Sequence, residues 1–217
     1  EITTRLVGSE MCIRDRYITI DLRDNADCMP CGLNMSEATV VSTTRAGVLN
    51  RLSPDIPKVE GAMKHIRVLY REGSIIGKPI YPYSASVATT NLADRMVSGV
   101  QALFNQITEI RGISEGGAVQ SPAAAVISGT DFRHDDAQFV NQIFIGLTGG
   151  PGVNGHDGWV TYQYPVDGGA MMWSSIEVLE RQYPFLVLED EIIKDSAAAG
   201  KFDSAPAVKC VMTPVSY

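Results

Sequence analysis

Between Asn91 and Ile107 the residues Leu92, Met96, Val100, Leu103 and Ile107 recur every three or four positions, and Val97 and Phe104 widen the same stripe. That spacing puts every apolar side chain on one side of a helix and demands a partner surface to bury it. Asn91, followed by Asp94 three residues on, has the composition of a reciprocal cap. A second helix is predicted from Ser36, a good N-cap residue, through Leu52, with Val41, Val48, Leu49 and Leu52 on one side; Pro54 and Pro57 end it.

The surfaces available to these helices are strands. Tyr17–Leu22 ("YITIDL") alternates and is β-branched, and in "MKHIRVLY" Ile66, Val68 and Tyr70 alternate with an outward His65 and Arg67. Beyond Arg111, short apolar runs at "AAAVIS", "FVNQIFIGL" and "GWVTYQY" are separated by Gly, Asp and Pro turns. "SIEVLERQYPFLVLEDEII" reads as two strands interrupted at Pro184, and "APAVKCVMTPV" as a closing strand. The expected fold is α+β: two main helices packed on mixed, largely antiparallel β-sheets, with a β-rich C-terminal half.

Composition excludes several classes. A formal net charge of −7, without a basic run, argues against a nucleic-acid surface. No apolar stretch of some eighteen residues is present to span a membrane, and no secretory signal region stands near the N-terminus, so the cytoplasm is the expected compartment. The segment "RLVGSEMCIRDR" (Arg5 to Arg16) shows neither strand alternation nor a helical face. Residues 1–16 resemble translated adapter sequence and are read as an artefactual or disordered segment, the alternative being a native N-terminal strand.

Cys28 and Cys31 form the only close cysteine pair. A zinc site needs four N or S ligands, and here one corner would have to be completed by Cys210 and scattered histidines. A redox pair wants its first cysteine at a helix N-terminus, but Pro30, Gly32 and Asn34 intervene before Ser36. Small side chains lining a loop is the reading the pattern favours, and no metal ligand is named. "RHDD" (Arg133 to Asp136) suits a solvated turn. Glu189 and Glu191 share a strand face, an arrangement open to acid–base chemistry but more typical of an exposed surface.

The glycine-rich "GGPGVNGHDGW" lacks the lysine and hydroxyl residue of a phosphate-binding loop and leads into a strand. It brings His156 and Asp157 close to any bound group or neighbouring subunit, although a plain hairpin connection accounts for it equally. From spacing alone no catalytic constellation emerges.

Taken in order, "DLRDNADCMPCGLNMSEAT", "LSPDIPKVEGAMKHIRVLYREGSIIG", "SVATTNLADRMVSGVQALF", "GGPGVNGHDGW" and "SSIEVLERQYPFLVLEDEIIKDSAAAGKFDSAP" resemble successive segments of the hydantoinase B/oxoprolinase family. The resemblance covers residues 17–217, which are read as part of a hydantoinase B/oxoprolinase-like domain, truncated at both ends. It implies the catalytic B-type subunit of an ATP-dependent cyclic-amide hydrolase, of hydantoinase, N-methylhydantoinase or 5-oxoprolinase type. In such a system a hydantoinase A-like subunit or domain supplies the nucleotide site, with ATP and Mg, and phosphorylates the substrate oxygen. Two alternatives stand beside it: the alpha-type subunit of an acetone or acetophenone carboxylase-like complex, and a non-catalytic subunit-interface region.

The family's N-terminal stretch associated with a divalent metal in the carboxylase relatives has no counterpart here, and neither has its C-terminal glycine run. The chain is therefore expected to be an interior fragment that binds no metal of its own and is inactive alone. Candidate site residues are His156 and Asp157 for catalysis, because imidazole ordinarily titrates near neutrality. Asn91 and Asp94 are candidates for substrate binding, through N–H groups at a helix N-terminus.

Overall fold

In a computed structural model, residues 2–6, 9–14, 16–86, 92–107, 112–115, 126–142, 149–160 and 174–215 are described. They fall into two compact units, Glu1–Glu115 and Gly116–Tyr217.

The first unit is built on a four-stranded sheet of β1 (Ile2–Leu6), β2 (Ser9–Arg14), β3 (Tyr17–Asp21) and β4 (Ile66–Leu69), in that order. The first three strands run antiparallel and β4 joins β3 in parallel, with Ile18 opposite Ile66 and Ile20 opposite Val68. Parallel neighbours need a crossover. Here α1 (Glu37–Leu49) and the short α2 (Glu60–Met63) supply it.

Ser36 caps α1 as its residue type predicts, its Oγ accepting the Thr39 N–H at 3.3 Å. The helix stops at Leu49 instead of Leu52, because the N–H groups of Arg51 and Leu52 turn back three residues to the carbonyls of Val48 and Leu49. Its buried side also differs from the expected one. Val40, Thr43, Thr44, Gly47 and Val48 face inward, and Val41 lies on the half-exposed flank. The reason is the second helix, α3 (Ala93–Asn105), which presses against Gly47: a Cβ there would stand 2.8 Å from Val100 Cβ. The predicted stripe of α3 is confirmed, with Met96, Val97, Val100, Leu103 and Phe104 all buried. Its N-cap is Leu92, with no side-chain cap hydrogen bond. Asn91 itself lies outside the described residues.

One core joins these parts: Met11, Ile20, Leu22, Met35, Val40, Val48, Ile66, Met96, Val100 and Leu103 among others. Met11 reaches this core from the segment read above as artefactual or disordered. Residues 10–14 pair along β3, Met11 opposite Ile20, and the Met11 side chain is fully buried. Neighbouring strands supply the hydrogen bonds and the cover that six residues with weak alternation cannot announce by themselves.

The second unit contains two antiparallel pairs: β5 (Val126–Asp131) with β6 (Ala137–Gln142), and β7 (Phe185–Ile192) with β8 (Val208–Pro214). The residues expected to form one strand before Pro184 are instead helical, as α4 (Ile176–Gln182). Ser175 caps it, accepting from the Val178 N–H, with Glu177 in the first turn and Arg181 in the last, the charge order a helix dipole favours. Leu179 then packs on Phe185, with Ile127, Tyr183, Val187 and Met212 around them. The α+β class holds. "GWVTYQY" beyond residue 160 and the end of "FVNQIFIGL" lie outside the described residues.

Candidate functional site

The glycine loop and the segment after β7 fold as a single body. Val153 and His156 exchange backbone hydrogen bonds at 3.0 and 3.1 Å around Asn154 and Gly155, and Gly155 sits at φ +102°, a conformation that suits glycine. The Gly150 N–H donates to the Trp159 carbonyl at 2.8 Å, which closes the loop at its base. From there it is stitched to residues 198–205. The Ala205 N–H donates to the Gly150 carbonyl at 3.0 Å and the Gly158 N–H to the Asp203 carbonyl at 2.7 Å. Asp157 completes the seam, its Oδ1 accepting the Asp203 N–H at 2.9 Å.

The backbones approach so closely that side chains are excluded. A Cβ at Gly152 would lie 2.3 Å from the Phe202 carbonyl oxygen, and one at Gly158 only 2.2 Å from that of Gly150. Glycine is needed here for proximity. The same bonds bear on nucleotide chemistry: the N–H groups of Gly150, Val153, His156 and Gly158 are all committed to protein carbonyls, and residue 151 is proline. A phosphate cradle requires such groups turned outward and unspent. Those four amides are not free to hold a nucleotide phosphate.

What the loop offers is His156. Its side chain is exposed on a backbone held from both sides, while its neighbour Asp157, also exposed, uses its carboxylate on the Asp203 amide. The two are therefore a presented imidazole and an anchoring carboxylate. Asp94 is placed quite differently. It lies in the first turn of α3, in the first unit, and is buried to 4% exposure, where the helix dipole favours its charge.

The cysteine loop is held by an amide that sequence reading passed over. Asn34 is fully buried. Its Nδ2 donates to the carbonyls of Met29, Cys31 and Ser84 at 2.8–2.9 Å, and its Oδ1 accepts the Met29 N–H at 2.8 Å. Cys28 donates through Sγ to the Ser74 carbonyl at 3.3 Å and Cys31 is exposed. Among the described residues no three His, Cys, Asp or Glu side chains come together in a way that could hold a metal ion.

Two further polar clusters are structural. Arg133 grips Asp131 with Nε and Nη2, both at 2.9 Å, and donates Nη1 to the Glu180 carbonyl at 2.7 Å. These bonds, first those of the guanidinium, lower the Asp131 carboxyl from 3.8 to about 2. Lys209 pairs with both Glu189 and Glu191, which are exposed as the surface reading expects, and Glu189 above all raises the lysine. Across the same ribbon Asp190 lies opposite Cys210, and burial raises both groups.

Comparison with known proteins places these features. The sequence matches Hydantoinase B/oxoprolinase over residues 6–215. The chain belongs to that family. It is 29% identical over 92 residues to caprolactamase subunit beta of Pseudomonas jessenii, covering 42% of this chain and 16% of that protein. It is 23% identical over 211 residues to an uncharacterised protein of Methanocaldococcus jannaschii, 97% of this chain and 35% of that one. The fold is that of the ATP-dependent caprolactamase from Pseudomonas jessenii, with a TM-score of 0.81 and 21% identity over 95% of this chain and 35% of that one. A nucleotide-free acetone carboxylase matches with a TM-score of 0.78 at 14% identity, over 95% of this chain and 27% of its own. The hydantoinase B-like chain thus spans about a third or less of these relatives. Among its described residues no helix is long and apolar enough to cross a membrane.

Proposed function

We propose that this chain is part of the catalytic B-type subunit of an ATP-dependent cyclic-amide hydrolase that works with an A-type, nucleotide-binding companion. The observation that carries the reading is the family match over residues 6–215, joined to the sequence similarity with a protein named as the beta subunit of a caprolactamase. A ring amide is a poor electrophile with a poor leaving group. Phosphorylation of its oxygen by the companion would activate the carbon, and the B-type subunit would process what results. The glycine loop supports that division, since four of its N–H groups are spent on protein carbonyls and it lacks the lysine and hydroxyl residue of a phosphate-binding loop.

His156 is the group we assign to proton transfer. A ring nitrogen must gain a proton to leave as an amine, and an imidazole presented on a braced loop can deliver one within hydrogen-bond reach. Asp157 acts through the loop it anchors.

The likeness to acetone carboxylase carries a second reading, a carboxylase-like complex. The test uses the complete gene product with its companion. Lactam- or hydantoin-dependent ATP hydrolysis that ignores bicarbonate is the expected result, and bicarbonate-dependent turnover of a ketone would replace the first reading with the second. Ring opening by the complete protein without any nucleotide-binding companion would overturn the division of labour itself.

A further inference from the structure

The outward flank of α1 is apolar where a solvated helix face would be charged. Val41 and Ala46, turned away from the core, meet Leu49 and the Met63 side chain of α2 in an open cleft of about 440 Å³. That volume lies within the range of small-molecule sites. Two cations flank it, Arg45 from α1 and Lys58 from the loop before α2. The Arg45 Nε is sealed from water and has no hydrogen-bond partner. Neither cation belongs to any of the ion pairs found among the described residues, although acidic residues outnumber basic ones by 25 to 18 in this chain. Two cations without an ionic partner beside an apolar cleft favour an anion placed between them. Among the described residues no carboxylate pairs with either cation.

We infer that this cleft binds a small organic anion: an aliphatic body lies on Val41, Leu49 and Met63, and its charged head sits between Arg45 and Lys58. A planar guanidinium next to an ammonium suits a carboxylate or a phosphate oxygen pair. The apolar floor selects against inorganic anions, which gain nothing from it. The inference stands on the first unit alone and is independent of the hydrolase reading.

Isothermal titration of the complete gene product with octanoate, octyl phosphate, octylamine and acetate, each below its micelle-forming concentration, tests it. One saturable site for octanoate or octyl phosphate is expected, and the tighter of the two identifies the head group. Octylamine carries the opposite charge and acetate lacks the body, so neither should saturate. Arg45→Gln should weaken the anion about tenfold with an unchanged thermal melt, and Ala46→Trp, which fills the cleft and leaves both cations in place, should abolish binding. No saturable binding of either anion, equal binding of octylamine, or full binding by a folded Arg45→Gln chain would overturn the proposal. If Arg45→Gln does not fold, unaltered binding by Ala46→Trp overturns it equally. A cleft covered instead by another segment of the subunit would show itself as no saturable binding.

Discussion

Oδ1 of Asp157 accepts the backbone N–H of Asp203 at 2.9 Å, a bond between loops 46 residues apart in sequence. The Asp203 carbonyl takes the next N–H along, that of Gly158, so one peptide group on each side of Asp203 is held by the glycine loop. A hydrogen bond to a charged acceptor at an exposed position contributes about 1 kcal/mol. Asp157→Ala should therefore lower the unfolding free energy by that amount, read as a lower urea midpoint at constant slope, whereas Asp157→Asn keeps an acceptor and should recover most of it. Equal midpoints for the native chain and the alanine variant would remove the anchoring role.

Glycine substitutions should divide by what their Cβ meets. Gly158→Ala places it 2.3 Å from Ala205 N, and Gly47→Ala 2.8 Å from Val100 Cβ. Each requires backbone or helix displacement and should cost about 1–3 kcal/mol. Gly99, inside α3, has nothing within 4 Å of its would-be Cβ, and Gly99→Ala should stabilise by about 0.5–1 kcal/mol. Thermal unfolding of the three variants settles the ordering, and a destabilised Gly99→Ala would contradict the space seen around it.

His156→Ala in the complete enzyme with its companion should reduce kcat by about a hundredfold or more without changing assembly or lactam-independent nucleotide binding. The readout that separates proton transfer from scaffolding is the pH profile: the limb belonging to the imidazole should vanish. Full turnover by a folded, assembled His156→Ala complex would leave this loop with an interface role only.

The Asp131–Arg133 pair makes a pH prediction. In the folded chain the carboxyl is lowered to about 2 from an ordinary 3.8, so the folded state holds its proton less tightly than the unfolded chain does. The associated stabilisation is complete above about pH 5 and disappears as pH falls through about 4 to 2. Arg133→Gln should flatten the stability curve across that window and move acid unfolding to higher pH, as followed by far-UV circular dichroism. An unchanged acid limb would mean that the pair contributes nothing to the pH dependence.

Much of the fold was legible because the signals were local. The stripe from Leu92 to Ile107 needs only a 3.6-residue period, and the Ser36 cap needs one hydroxyl and the N–H three residues on. The alternation of Tyr17–Leu22 needs only the pleat. Even the family could be read from ordered segments, one of which holds Gly152 and Gly158, where backbone meets backbone too closely for a Cβ. His65 and the pair Glu189 and Glu191 were correctly read as surface residues on the same local grounds.

Tertiary structure decided what depended on distant partners. Met11 is a core residue because β3 and the helices enclose it, and nothing within residues 9–14 announces that. Val41 yields the buried side of α1 to Val40 and Gly47 because α3 lies against Gly47, a contact between residues some fifty positions apart. Ile176–Gln182, whose Glu, Leu, Arg and Gln residues suit a helix, is held in place because Leu179 finds Phe185. The roles of Asp157 and Arg45 followed the same rule: a side chain's chemistry is set by which donors and acceptors folding brings to it, and leaves absent, in three dimensions.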